Sequence, residues 1–197
     1  MLEFGAPEFD ANNDELVELI AYTLANAGRD LAAFSNAHLE HGLAHIFNNS
    51  CSNICFSLMD HKVDLKKRVQ AVKLVSNLYT DCFEQRCAPV LGHLDQPGAN
   101  ELNHICYMLW DVTPIAYWEG SSEKDIFYPV LLEVMSAGLR CKNVACIEGA
   151  LHGLGHLHVH TLSSRVKALV HEFIRRNPEL PLDLGSYAKN AAIGCVL

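Results

Sequence analysis

Residues 143–158 read NVACIEGALHGLGHLH, and the fold prediction starts from this stretch. Its apolar residues recur at three- and four-residue steps: Cys146, Ala150, Leu154 and Leu157. That spacing is typical of an α-helix with one apolar face. The glycines in the same stretch each cost a helix about 1 kcal/mol relative to alanine. We therefore expect packing against other helices, rather than intrinsic propensity, to hold this one.

The motif HGLGHL at residues 152–157 has a close counterpart, HGLAHI, at residues 41–46. The two copies lie 111 residues apart, or three periods of 37. A recurrence of this kind indicates an internal repeat of helical units.

The rest of the chain divides into paired helical segments on the same criterion of apolar spacing. The pairs are Asp14–Ala27 with Asp30–Asn48, Leu65–Gln85 with Asn100–Val112, Glu123–Leu139 with Asn143–His158, and Ser163–Arg176 with Asp183–Val196. No alternating strand pattern bounded by hairpin residues is found. The sequence thus predicts an all-α domain over residues 14–197, preceded by an irregular N-terminal segment at residues 1–13.

The last two pairs start 40 residues apart, a spacing within the range of HEAT and armadillo repeats. Small residues recur in the second helices: Gly42, Gly149, Gly153, Gly155 and Ala191. From Asp14 onward this organisation resembles a HEAT-like α-solenoid. The resemblance implies a short right-handed α-α superhelix whose second helices line a concave face that binds other macromolecules. A compact α-helical bundle is the alternative fold.

The composition is that of an acidic globular protein. The 197 residues include 23 acidic and 15 basic side chains, for a net charge of −8. A negative net charge argues against binding to nucleic acid or anionic lipid that is driven mainly by electrostatic attraction. No apolar run approaches the ~20 residues of a membrane-spanning helix, and no charged leader precedes an apolar stretch. We expect a cytoplasmic protein that binds neither nucleic acid nor membrane.

The eight cysteines include no CxxC pair, so the spacing does not indicate a zinc ribbon or a thioredoxin-type redox motif. A chain of this length with this apolar content has no need of disulfides for stability. We expect reduced thiols, most of them buried as small apolar side chains.

The two HGLxH copies also carry a metal-site alternative. Histidines four residues apart share a helix face, and zinc proteases use this spacing on a helix. The glutamate that serves those proteases as general base is absent, because glycine follows the first histidine in both copies. Glu148, His152 and His156 step by four residues and are the metal ligands that this alternative predicts.

The preferred interpretation is a non-catalytic, cofactor-free module that binds a protein or peptide, as a scaffold, adaptor or immunity-type protein. Copies three repeats apart would be separated by about 30 Å if neighbouring helices lie ~10 Å apart, which is too far for one ion. The predicted partner-binding residues on the concave face are His41, His45, Glu148, His152 and His156. The alternative is a metal-dependent enzyme whose site is built on the HGLxH helices.

Overall fold

The computed structural model describes residues 10–160 and 163–196, and these residues form helices and no strands, which confirms the all-α class. The α-helices are α1 Asn13–Ala25, α2 Ala27–Asp30, α3 Asn36–Phe47, α4 Leu65–Leu74, α5 Glu84–Arg86, α6 Glu101–Val112, α7 Lys124–Gly138, α8 Val144–His160, α9 Ser163–Arg176 and α10 Leu182–Ala191. Residues 1–9 of the predicted N-terminal segment lie outside the described residues. None of the described helices combines the length and apolar character needed to cross a bilayer.

The helix predicted over Leu65–Gln85 is present with a change of pitch near its middle. Asp64 caps it, since its carboxylate accepts a hydrogen bond of 2.9 Å from the backbone N–H of Lys66. A turn at Val75 ends α4, and the chain continues through a π-helical turn at Leu78–Phe83 into α5. Helical turns therefore continue, with this irregularity, from Leu65 to Arg86 at the end of α5.

The single helix predicted over Asp30–Asn48 is wrong. After α2 the chain makes a short 3-10 turn, Phe34 adopts extended backbone, and Ser35 caps α3. The Arg86 guanidinium donates hydrogen bonds to the carbonyl oxygens of Leu31 at 3.0 Å and Phe34 at 2.6 Å. These bonds satisfy carbonyl groups that a continuous helix would have paired internally, so the break is stabilised by α5.

The helices pack in two rows. In one row α1 contacts α4 and α4 contacts α7, while in the other α3 contacts α6, α6 contacts α8 and α8 contacts α10. α9 packs on both α8 and α10. The second helices of all four predicted pairs are thus neighbours in turn, and so are the first helices of the first three pairs, whereas α9 packs on α8 instead. The right-handed superhelix and the relation to HEAT repeats stay predictions.

α8 lies in the interior of the domain. It contacts α6, α7, α9 and α10, and every residue from Ala145 to Gly155 is buried. Two glycines permit the close approach of its neighbours. A Cβ at Gly149 would lie 2.4 Å from the carbonyl oxygen of Cys106, and one at Gly153 would lie 2.4 Å from the Trp110 ring. α6 can reach this distance from α8 only because both positions lack a side chain.

Gly153→Ala is expected to lower the free energy of unfolding by about 1–3 kcal/mol, because overpacking forces neighbouring side chains to shift. Gly42→Ala is the matched control, since Gly42 holds the same place in the other HGLxH copy and nothing lies within 4 Å of an added Cβ there. Alanine at this exposed helical position should raise stability by about 0.5–1 kcal/mol. Urea unfolding followed by circular dichroism measures both. Equal stabilisation by the two substitutions would contradict the tight α6–α8 contact.

Candidate functional site

Two histidines of α8 and one aspartate of α6 converge on a single point. His152 Nε2 lies 2.5 Å from Asp111 Oδ2, and His156 Nε2 lies 2.8 Å from Asp111 Oδ1. The two Nε2 atoms are 3.1 Å apart. Asp111 lies near the C-terminal end of α6, beside the second half of α8. The close packing of α6 on α8 places its carboxylate next to the two histidines.

Without an ion, the Asp111 carboxylate can accept an Nε2–H from each imidazole, one at each oxygen. With an ion, the same nitrogen and oxygen atoms would become its ligands. A cation bound at the point of convergence would accept a lone pair from each of the three groups. With metal–ligand bonds of about 2.0–2.2 Å, tetrahedral ligand atoms lie about 3.4 Å apart. The atoms here are 2.5–3.1 Å apart, so the three side chains would move apart when an ion binds.

The Asp111 carboxylate is held in its ionised form. Burial raises its pKa, but hydrogen bonds with His152 and His156 and their charges outweigh burial and hold the pKa of Asp111 well below its usual range. An ionised carboxylate between two imidazoles is a suitable ligand for a divalent cation.

Tyr187 of α10 fixes the orientation of the His152 ring. Its hydroxyl lies 2.6 Å from His152 Nδ1 and 3.1 Å from the Tyr107 hydroxyl. The Tyr107 ring packs against the His152 ring with centroids 4.5 Å apart. Burial and the neighbouring Tyr107 raise the pKa of Tyr187 well above its usual range, so the hydroxyl keeps its proton. Metal-ligating histidines commonly use their second nitrogen for a hydrogen bond of this kind.

The triad has one solvent-facing side. The His152 side chain is 1% exposed, whereas those of Asp111 and His156 are 27% and 35% exposed. The partly exposed edge of the triad is therefore formed by Asp111 and His156.

Glu148 precedes His152 by one helical turn, but its carboxylate is directed to another part of the chain. It accepts hydrogen bonds from the backbone N–H of Gly92 at 2.6 Å and of His93 at 3.1 Å, and it also contacts His93 Nδ1. Glu148 is 1% exposed. Asp111, and not Glu148, thus completes the histidine pair, while Glu148 anchors the 3-10 turn at residues 92–94 to α8.

The structure separates the residues expected to form one partner-binding face. Glu148 and His152 are buried in the interior, so neither side chain presents itself to a partner. His41 and His45 are exposed on α3, where His41 Nδ1 lies 3.2 Å from Glu40. The two HGLxH copies therefore occupy different environments.

All eight cysteines are free, as the sequence predicts, and most are buried. Cys141 and Cys146 lie together with Glu84 in a second cluster of potential ligands. Hydrogen bonds from the Cys106 and Cys141 thiols lower the pKa of Cys146 below its usual range. For Cys106, burial raises the pKa of the thiol.

Comparison with family models, curated proteins and solved structures finds no match to this chain. The chemistry of the site is therefore argued from its own geometry.

Glu148→Gln is expected to lower the free energy of unfolding by about 1–3 kcal/mol. The amide has only one oxygen, so its NH₂ group would face the backbone N–H of Gly92 or of His93. That backbone N–H would then lack a hydrogen-bond acceptor. Glu133→Gln is the control, since Glu133 is 66% exposed on α7 and lies 3.5 Å from Lys73. The control should change stability by less than about 0.5 kcal/mol. Urea unfolding of the two variants and of the wild type measures these changes in the free energy of unfolding. Similar small effects would show that the Glu148 carboxylate does not anchor the loop.

Proposed function

We propose that this protein binds a divalent transition-metal ion through Asp111, His152 and His156. The observation that carries the proposal is that one ligand atom from each of these three side chains lies within 4.8 Å of the other two. Of the two functions predicted from the sequence, this geometry favours the metal-dependent enzyme, with Asp111 in place of Glu148.

Two imidazoles and one carboxylate suit a specific group of metals. The set occurs in catalytic zinc sites, and in non-haem iron(II) sites when the three ligands share one face of the ion. Three protein ligands leave at least one coordination position for water or substrate. The exposure of Asp111 and His156 supports an open position on that side, as a catalytic rather than a purely structural centre needs.

The residues around the ligands have distinct roles in this proposal. Asp111 supplies the negative charge that offsets part of the charge of the ion. Tyr187 accepts the Nδ1–H of His152, so that Nε2 presents its lone pair to the ion. The bound ion would supply Lewis-acid activation of a water molecule or of a substrate oxygen. We assign zinc as the first metal to test, with the protein kept under reducing conditions so that its thiols stay free.

Untagged protein, purified without added chelator, is expected to retain a transition metal that dialysis does not remove. Asp111→Asn and His156→Ala should each retain one equivalent less than the wild type, and a His41→Ala, His45→Ala double variant should match the wild type because that copy has no buried partner ligands. Inductively coupled plasma mass spectrometry measures the metal, and circular dichroism checks the fold. Loss of the metal from the His41, His45 variant alone would assign it to surface histidines and contradict the proposal.

Tyr187→Phe tests the supporting hydrogen bond separately. Removal of the hydroxyl should weaken metal affinity by about 10–100-fold, because His152 is no longer oriented by its second nitrogen. Competition with a chromophoric chelator measures this change. An unchanged affinity in a folded Tyr187→Phe protein would show that the hydroxyl does not support the site.

The partner-binding module is the second candidate, and the exposed imidazoles of α3 favour it. His41 and His45 take no part in the core, and Glu40 lies 3.2 Å from His41 Nδ1 and 3.7 Å from Nδ1 of His104 on α6. Together these side chains make a polar surface across two helices that a protein or peptide could contact. Wild-type protein that neither retains metal nor takes it up after reduction would favour this candidate over the metal centre.

A further inference from the structure

The second cluster of potential ligands lies where α5, α7 and α8 meet. Glu84 belongs to α5, Cys141 follows the end of α7, and Cys146 is in the first turns of α8. One carboxylate oxygen and the two Sγ atoms all lie within 4.8 Å of one another. None of these side chains takes part in the Asp111 centre.

The Glu84 carboxylate is held in place by the turn that connects α7 to α8. Its oxygens accept hydrogen bonds from the backbone N–H of Lys142 at 2.9 and 3.1 Å and of Asn143 at 3.3 Å. Each carboxylate oxygen has two lone pairs, so these bonds leave acceptor capacity for a further contact. The backbone bonds thus fix an oxygen ligand beside the two thiols.

One residue of the cluster, Cys141, borders a cavity. A cavity of about 600 Å³ between α7, α8 and α9 has Cys141 in its wall, together with Ile147 and Phe173. Cys141 is partly exposed, whereas Cys146 behind it is fully buried. The cluster therefore has one accessible thiol and one enclosed thiol.

We propose that Glu84, Cys141 and Cys146 form a second metal site, specific for a thiophilic ion such as Zn²⁺ or Cd²⁺. Two sulfur ligands distinguish this site from the nitrogen and oxygen ligands of the Asp111 centre, because soft thiolates select soft and borderline metals. Binding converts the thiols to metal-bound thiolates and releases their protons to solvent. An ion here would join α5, the α7–α8 turn and α8, which is a structural role.

Titration of reduced, metal-free protein with Co²⁺ tests the proposal. Cobalt bound by thiolate gives an intense sulfur-to-metal charge-transfer absorption, which nitrogen and oxygen ligands do not produce. The wild type should develop this absorption, and Cys141→Ser should lose it. Cys195→Ser is the matched control, because Cys195 is an exposed cysteine outside the cluster. The control should keep the absorption in full.

Two further variants make the result specific. Glu84→Gln should weaken Co²⁺ binding while the charge-transfer absorption at saturation persists, since both sulfurs remain. An Asp111→Asn, His156→Ala double variant should keep the absorption, so that failure of the first metal centre leaves this test intact. Circular dichroism confirms that each variant is folded. Cys146 is not substituted because it is fully buried.

Two outcomes would overturn the proposal. One is the absence of charge-transfer absorption in folded, reduced wild-type protein at saturating Co²⁺. The other is its loss in Cys195→Ser together with its retention in Cys141→Ser. In the first case, a loss of two hydrogens on treatment with mild peroxide, with a bond formed between Cys141 and Cys146, would identify the cluster as a redox pair.

Discussion

The close approach of α6 to α8 is the constraint on which the rest of the structure depends. It exists because Gly149 and Gly153 have no side chains, so the Cys106 carbonyl and the Trp110 ring can lie against the α8 backbone. The same close packing fixes the position of α6 along the axis of α8, and Asp111 therefore lies beside His152 and His156. Glycine lowers the propensity of α8 to be helical, and the helix is held because other helices enclose it.

Local spacing is sufficient to predict most of the long helices but not the completed site. The three- and four-residue steps of Cys146, Ala150 and Leu154 identify α8, and the same rule puts His152 and His156 on one face. Asp111 is 41 residues away from His152, and only tertiary packing makes them neighbours. No pattern in the sequence around Asp111 distinguishes it from other acidic residues.

For Glu148, the helical spacing predicts a place beside the two histidines that its hydrogen bonds do not support. Helical periodicity places it in line with His152 and His156, but backbone N–H groups at residues 92 and 93 capture its carboxylate. Buried donors of this kind require an acceptor, and a loop of irregular backbone has no internal partner to offer.

The break between α2 and α3 is not predicted from the sequence for a related reason, because the Arg86 guanidinium that stabilises it comes from a helix distant in the sequence. The two HGLxH copies differ likewise, since α8 is enclosed by four helices and α3 leaves His41 and His45 exposed.

The position of Tyr187 in the chain has a consequence for the order in which the site is built. A ribosome releases the chain from its N-terminus, so Asp111, His152 and His156 emerge before α10. The hydroxyl that orients His152 arrives only when α10 docks on α8. In the proposed metal centre, an ion present during synthesis would therefore meet all three ligands while the His152 ring is still free to turn. The docking of α10 would then fix that ring from its Nδ1 side, opposite the nitrogen that faces the ion.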